Sequence, residues 1–98
     1  MIDKRPRTQS PVDEGKLLLV REFLQREFRG SRYDDYFDPA KTAQVFVMEP
    51  NRGPRHTLII PKATFEHADF AFLCNRYLAD AIQHARDVPL TLTTEGVR

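Results

Sequence analysis

Residues 43–62 read AQVFVMEPNRGPRHTLIIPK, two short apolar runs on either side of a loop rich in proline and arginine. The runs cover residues 45–48 and 58–60, and their β-branched and aromatic side chains favour strands. Pro50 and Pro54 lack a backbone N–H, so they limit the ladder of hydrogen bonds at the loop. This stretch therefore predicts a β-hairpin with its loop at residues 50–55.

Both faces of the predicted hairpin are apolar at its centre. Side chains alternate along a strand, so Val45 and Val47 share one face and Phe46 and Met48 share the other. A sheet covered by helices on one face normally has a polar second face. We therefore expect a partner subunit or a further element to cover the second face. We assign Phe46, Met48 and Ile59 to that partner surface, with the side chains of the opposite face as the alternative.

A helix is predicted over residues 13–30, before the hairpin. At about 100° per residue, its apolar side chains form one stripe, made by Leu17, Val20, Leu24 and Phe28. Asp13 or Ser10 suits the N-cap, and Gly30 suits the end of the helix. Leu19 and Phe23 widen the stripe, which indicates more than one contact surface.

A second helix is predicted over residues 64–87, after the hairpin. Thr64 or Asp69 suits its N-cap. Its apolar side holds Phe70, Ala71, Leu73, Cys74, Tyr77, Leu78, Ala81, Ile82 and Ala85. Phe72 falls on the polar side, where it is exposed in a monomer, so we add it to the candidate partner surface.

Two further segments complete the predicted architecture. Residues 31–42, SRYDDYFDPAKT, are predicted to be a connection, with turn chemistry at residues 38–39. Their three aspartates lack the spacing of a calcium-binding loop, so no metal site is predicted. The alternating tail VPLTLTTEGVR allows a short third strand, in this subunit or added to a neighbour.

The pattern as a whole predicts an α+β fold. Its order is helix–hairpin–helix (αββα), a two-layer domain with a short C-terminal third strand, and a partner subunit completes or covers the sheet. We place one domain at residues 13–94, after a disordered basic arm at residues 1–12. Residues 95–98 are predicted to be a frayed C-terminus.

Composition excludes several classes of protein. The 98 residues hold 15 Lys+Arg, 14 Asp+Glu and one cysteine, so neither a strong net charge nor a disulfide framework is present. No apolar run has the length of a membrane span or of a signal peptide, which predicts a cytoplasmic protein without membrane contact. No catalytic, phosphate-binding or metal motif is present, so we predict no enzyme activity, no cofactor and no small-molecule ligand.

Two functions follow as expectations. The first is a non-enzymatic interaction domain that self-associates through its sheet, as a homodimer or with a protein partner. The alternative is a nucleic-acid-binding or regulatory protein that uses the basic loop at residues 50–56 and the N-terminal arm. The candidate contacts to nucleic acid are Arg52, Arg55, His56, Lys62, Lys4, Arg5 and Arg7.

Overall fold

The computed structural model describes residues 11–53, 55–78, 89–94 and 96–97, and these form a mixed α+β domain. In chain order the elements are α1 (Glu14–Glu27), β1 (Arg32–Asp38), β2 (Ala43–Glu49), β3 (His56–Pro61), α2 (Lys62–Phe65), α3 (Phe70–Leu73), a π-helical turn (Cys74–Leu78), β4 (Leu90–Thr93) and β5 (Gly96–Val97). The α+β class is confirmed, but the order of the elements differs from αββα.

The strands form an open sheet in the order β1-β2-β3-β4-β5. β2 and β3 pair antiparallel, with Met48 opposite His56 and Ala43 opposite Pro61, so the predicted hairpin is confirmed. β4 confirms the predicted C-terminal strand, and it pairs parallel with β3 of its own chain. The two-residue β5 pairs with β4, so residues 96–97, which we expected to fray, belong to the sheet.

The predicted connection between the first helix and the hairpin is wrong, because most of it is a strand. Residues 32–38 form β1, which pairs antiparallel with β2 from Arg32 opposite Glu49 to Asp38 opposite Ala43. Only the turn after it follows expectation, since Asp38 Oδ1 accepts a hydrogen bond from the Ala40 backbone N–H at 3.0 Å. Because aspartate is rare in strands, the three aspartates of β1 favour a turn over a strand, although the residues alternate as in a strand.

The first helix is confirmed. The side chain of Asp13 accepts a hydrogen bond from the Lys16 backbone N–H at 3.0 Å, so Asp13 is the N-cap. Buried positions on α1 are Leu17, Val20 and Leu24, members of the predicted stripe. Gly30 follows with a φ of +87°, a conformation that glycine adopts at little cost where a helix ends.

The second helix is interrupted rather than continuous. α2 and α3 are each four residues long, and the turn at residues 66–69 separates them. Asp69 occupies the N-cap position of α3, whereas the Thr64 hydroxyl donates to the backbone oxygen of Leu92 at 3.1 Å. Residues 79–87 of the predicted helix lie outside the described residues.

The helices cover one face of the sheet, which we call the inner face. The core includes Leu17, Val20, Leu24, Phe46, Met48, Leu58, Ile60, Phe65, Phe70, Cys74, Leu78 and Leu92. Phe46 is fully buried and Met48 is 2% exposed, so the structure contradicts their assignment to a partner surface. Directly opposite residues share a face, and Phe46 lies opposite Leu58, so Ile59 belongs to the other face.

The ordered domain includes part of the predicted arm. Val12 is 5% exposed and lies in the core, so the boundary at residue 12 is corrected, while residues 1–10 lie outside the described residues. Within the described part of the chain, no helix combines the length and apolarity needed to cross a membrane.

Candidate functional site

β1 carries a buried carboxylate, Asp35, that accepts hydrogen bonds from side chains on α1, β1 and β2. Arg21 donates from Nε to Oδ2 at 2.9 Å and from Nη2 to Oδ1 at 2.8 Å. The Tyr33 hydroxyl donates to Oδ2 at 2.6 Å. The Gln44 side-chain amide donates to Oδ1 at 2.8 Å. We call these four residues the Asp35 cluster.

Burial and hydrogen bonding set the protonation states in the Asp35 cluster. Burial is the largest single influence on Asp35 and favours its neutral form, but the hydrogen bonds from Arg21, Tyr33 and Gln44 together hold its pKa below the usual range. The hydrogen bond to Asp35 raises the pKa of Arg21. Burial, and then the hydrogen bond to Asp35, raises the pKa of Tyr33. Near neutral pH the cluster therefore holds a carboxylate, a guanidinium and a neutral phenol.

The geometry of the Asp35 cluster suits it to hold β1 in position. The Asp35 side chain is 6% exposed, and each of its oxygens accepts two hydrogen bonds from its own chain. A general acid or base needs access to a substrate and a pKa near the working pH, whereas the pKa of Asp35 is shifted downward. The cluster joins β1 to α1 and to β2.

The face of the sheet opposite the helices, which we call the outer face, carries a row of apolar side chains. The register places Tyr36 opposite Val45, and Val45 opposite Ile59. Tyr36 is 42% exposed, whereas Val45 is 3% exposed and Ile59 is half-buried. The exposed apolar area of this row is therefore greatest at Tyr36.

One edge of the sheet is long and the other is short. β1 is seven residues long, and β2 is the only described strand that pairs with it. At the opposite side, the four-residue β4 is followed by the two-residue β5. A strand at an edge offers backbone donors and acceptors to another strand. β1 is therefore the larger open edge of the described sheet.

Two of the cations assigned to nucleic-acid contact, one in the basic hairpin loop and one after β3, are paired with acids. Arg55 Nε donates to Glu49 Oε2 at 3.0 Å, and Arg55 Nη2 lies 2.8 Å from the same oxygen. Lys62, at the start of α2, forms an ion pair with Glu66. Arg52 is exposed at the tip of the loop.

The remaining candidate contacts to nucleic acid are spread over different environments. His56 is half-buried, and its ring lies against that of Phe28 with 4.9 Å between the ring centroids. Its Nδ1 is buried and forms no hydrogen bond with a described residue. Lys4, Arg5 and Arg7 lie outside the described residues.

Three large apolar side chains on the described helices are exposed, and Leu19 on α1, at 37%, is the least exposed of them. Phe72 on α3 is 59% exposed, as expected from its place on the polar side of the second helix. Leu18 on α1 is 53% exposed. Single exposed apolar side chains are common on protein surfaces, so each alone carries little information.

In the described part of the chain, the cysteine thiol is buried and no cluster of metal ligands occurs. Cys74 is buried, and burial raises the pKa of its thiol to about 12, so the nucleophilic thiolate is disfavoured near neutral pH. No three His, Cys, Asp or Glu side chains among the described residues are placed to hold a metal ion. The expected absence of a cofactor stays a prediction.

The Asp35 cluster is not predicted by the sequence pattern, because residues 31–42 are predicted to be a connection. A signal was present, since Tyr33, Asp35 and Phe37 alternate with period two and bring a carboxylate between two aromatic side chains. Gln44 was a second signal, as an amide inside an otherwise apolar strand. A buried amide normally has a hydrogen-bond partner, and here the partner is Asp35.

Comparisons of the chain with protein-family models, with curated proteins and with solved structures found no match. Likeness to another protein therefore assigns no role to the Asp35 cluster, to the outer face or to the β1 edge. Any role for them has to be argued from their own geometry and chemistry.

Proposed function

We propose that this protein is a small, non-enzymatic interaction domain that associates with a second copy of itself through its sheet. The uneven coverage of the sheet carries the proposal. The described helices pack on the inner face, whereas β1 leaves a seven-residue edge open and presents Tyr36 at 42% exposure. Open strand edges and exposed aromatic side chains are features that a partner subunit covers.

The chemistry of the described residues supports a role in binding rather than in catalysis. Asp35, the most buried acid among the described residues, accepts four hydrogen bonds from its own chain, and the Cys74 thiol is buried and protonated. Both groups serve the fold. A free buried thiol also suits a reducing compartment, which supports our further proposal of a cytoplasmic location.

The size of the available surface sets the expected strength of association. Stable protein complexes bury on the order of 800 Å² on each partner, and smaller contacts are transient. A single strand edge with a few exposed side chains falls at or below that size. We therefore expect a dissociation constant on the order of 1–100 µM.

Sedimentation velocity across that concentration range tests the proposal. The expected result is a reversible monomer–dimer equilibrium in the full chain. A monomer at every concentration overturns the proposal. The variant Phe72→Ala tests whether the interface lies on the helices instead of the sheet, because Phe72 is the most exposed large apolar residue described. Loss of the dimer in that variant contradicts association through the sheet.

Nucleic-acid binding is the second candidate and stays a prediction. The exposed side chain of Arg52 at the tip of the hairpin is the observation that favours it. Glu49 and Glu66 neutralise Arg55 and Lys62, which weakens the positive potential that phosphates require. Self-association is therefore the function that the geometry supports better.

A further inference from the structure

We infer that two copies of this chain join along β1, antiparallel and centred on Asp35, so that Arg32 of each copy faces Asp38 of the other. The inference rests on the proposed self-association and names the strand and the register for it. Three features of β1 support it: its regular edge, the complementarity of its side chains, and the inward direction of its central charge.

The edge of β1 is regular and lacks some of the usual protections against pairing, although four of its seven residues are charged. Its seven residues pair with β2 in one continuous register, so no bulge bends the strand. No proline or lysine occurs in RYDDYFD, although both are common on edges that avoid association. The opposite side of the sheet ends in the two-residue β5, and very short edge strands are a form of protection.

The side chains of β1 are complementary to a second copy of themselves. Centring on Asp35 pairs Arg32 with Asp38, Tyr33 with Phe37, and Asp34 with Tyr36, each pair twice by symmetry. Directly opposite residues share a face and lie within contact distance of each other. We call the line of contact between the two β1 strands the seam. One face of the seam then holds two ion pairs and two tyrosine–aspartate contacts, and the other holds two aromatic pairs.

Neighbouring registers lose this complementarity. A continuous sheet allows shifts of two residues only, because a shift of one exchanges the faces. Centring on Asp34 sets that acid against its own copy and pairs Arg32 with Tyr36. Centring on Tyr36 sets Asp34 against Asp38 twice. Like charges directly opposite each other are unfavourable, so the register centred on Asp35 is preferred.

The central pair of aspartates is the one apparent conflict, and the Asp35 cluster resolves it. A charge that points inward from an edge strand normally discourages association. Here Asp35 accepts hydrogen bonds from Arg21 of α1 and from Gln44 of β2. Its carboxylate is therefore drawn beneath its own sheet, toward a guanidinium and away from the seam.

Pairing of edges fits the structure better than stacking of outer faces. Val45 is 3% and Ala43 is 1% exposed, and Val47 and Ile59 are half-buried, so the outer face has little apolar area left to bury. Arg32, in contrast, is exposed and forms no ion pair with a described residue. Pairing along β1 supplies Asp38 as its partner.

Charge reversals in two separate proteins test the register. Arg32→Glu alone and Asp38→Lys alone each set like charges against each other twice in the homodimer, and we expect each to weaken it about tenfold or more. An equimolar mixture restores both ion pairs, so the heterodimer should associate within about threefold of the wild-type strength. Sedimentation velocity, with one protein carrying a fluorophore, measures all three.

Controls distinguish an effect on the register from effects of the substitutions on folding and on net charge. Circular dichroism checks folding, and Asp38→Asn replaces Asp38→Lys if the lysine disrupts the turn, since asparagine keeps an acceptor for the Ala40 N–H. Asp38→Asn removes the two attractions without adding repulsion, so it should weaken the dimer less than Arg32→Glu. Arg29→Glu is the matched control, an exposed arginine outside β1 that should leave the dimer unchanged.

Each outcome decides between the two proposals. A wild-type monomer overturns self-association itself. A wild-type dimer that tolerates both reversals, or that the mixture does not restore, or that Arg29→Glu weakens equally, overturns the register and leaves self-association standing. Loss of the dimer in Ile59→Lys, with tolerance of the β1 reversals, assigns the interface to the outer face.

Discussion

β1 and β2 pair along their whole length, yet different forces hold them in place. Five of the seven residues of β2 are buried, whereas in β1 only Asp35 is buried. Apolar side chains such as Phe46 hold β2 to the helices, and four hydrogen bonds to one carboxylate hold β1 to α1 and β2. Burial therefore dominates in β2, whereas β1 combines its pairing with β2 and the packing of Tyr33 and Phe37 against the core with the contacts of an ionised carboxylate.

This difference fits the places of the two strands in the sheet. An inner strand has neighbours on both sides and covers much apolar area, which is a non-directional source of stability. An edge strand with exposed polar residues needs directional contacts to stay in register. The two hydrogen bonds from the Arg21 guanidinium to Asp35 supply these directional contacts. A bidentate guanidinium–carboxylate pair fixes both distance and orientation.

The largest expected effect is in β2. Phe46→Ala removes a fully buried ring from the core, and we expect it to lower the free energy of unfolding by about 3–5 kcal/mol. Phe72→Ala is the matched control, because the same change at an exposed position should cost within about 0.5 kcal/mol. Urea unfolding of dilute protein measures both, and equal losses contradict the assigned core.

The next effect is in β1. Asp35→Asn keeps the shape of the side chain but removes its charge and faces Arg21 with an amide, so we expect a loss of about 2–3 kcal/mol in unfolding free energy. Arg21 is 35% exposed and regains some water, which keeps the loss below that of Phe46→Ala. The control is Asp34→Asn on the exposed side of β1, expected to cost less than about 1 kcal/mol.

The effect of Asp35 depends on pH, and that of Phe46 does not. The pKa of Asp35 is lower in the folded protein than its usual value near 4, so the carboxylate stabilises the fold above about pH 4. That contribution is lost as the pH falls through the lowered pKa. The difference in unfolding free energy between wild type and Asp35→Asn should therefore shrink below about pH 4. A difference that stays constant from neutral pH to acid contradicts the ionised cluster.

The same contrast explains which elements could be predicted from sequence. β2, β3 and α1 have apolar residues at the period of a strand or a helix, so their type follows from local pattern. β1 has the period of a strand, but three of its seven residues are aspartate, which normally occurs in turns. The partner of its buried carboxylate, Arg21, lies 14 residues earlier in the chain than Asp35, so local pattern does not contain that contact.

The candidate surface was harder to predict than the fold. Two apolar faces on the hairpin were visible in the sequence, but local pattern does not say which of them the helices cover. The packing of Phe46 and Met48 in one cluster with helix residues settles this, and the strand register places Ile59 on the other face. The open edge depends on the order of the strands, and that order is a property of the whole chain.

The smallest predicted effect sharpens the contrast within β1 itself, which carries two tyrosines on opposite faces. The Tyr33 hydroxyl donates to Asp35, whereas Tyr36 is 42% exposed. Tyr33→Phe should lower the unfolding free energy by only about 1 kcal/mol, because Arg21 still donates to the same oxygen of Asp35. Tyr36→Phe should leave the unfolding free energy within about 0.5 kcal/mol of wild type. Loss of the hydroxyl also removes a contact that lowers the pKa of Asp35, so the acid-induced loss of stability should be smaller and should be complete at a higher pH in Tyr33→Phe. If both variants match wild type at neutral and at acid pH, the Tyr33 hydroxyl contributes nothing to stability. The Arg21 guanidinium and the Gln44 amide are then the donors to Asp35 that stabilise β1.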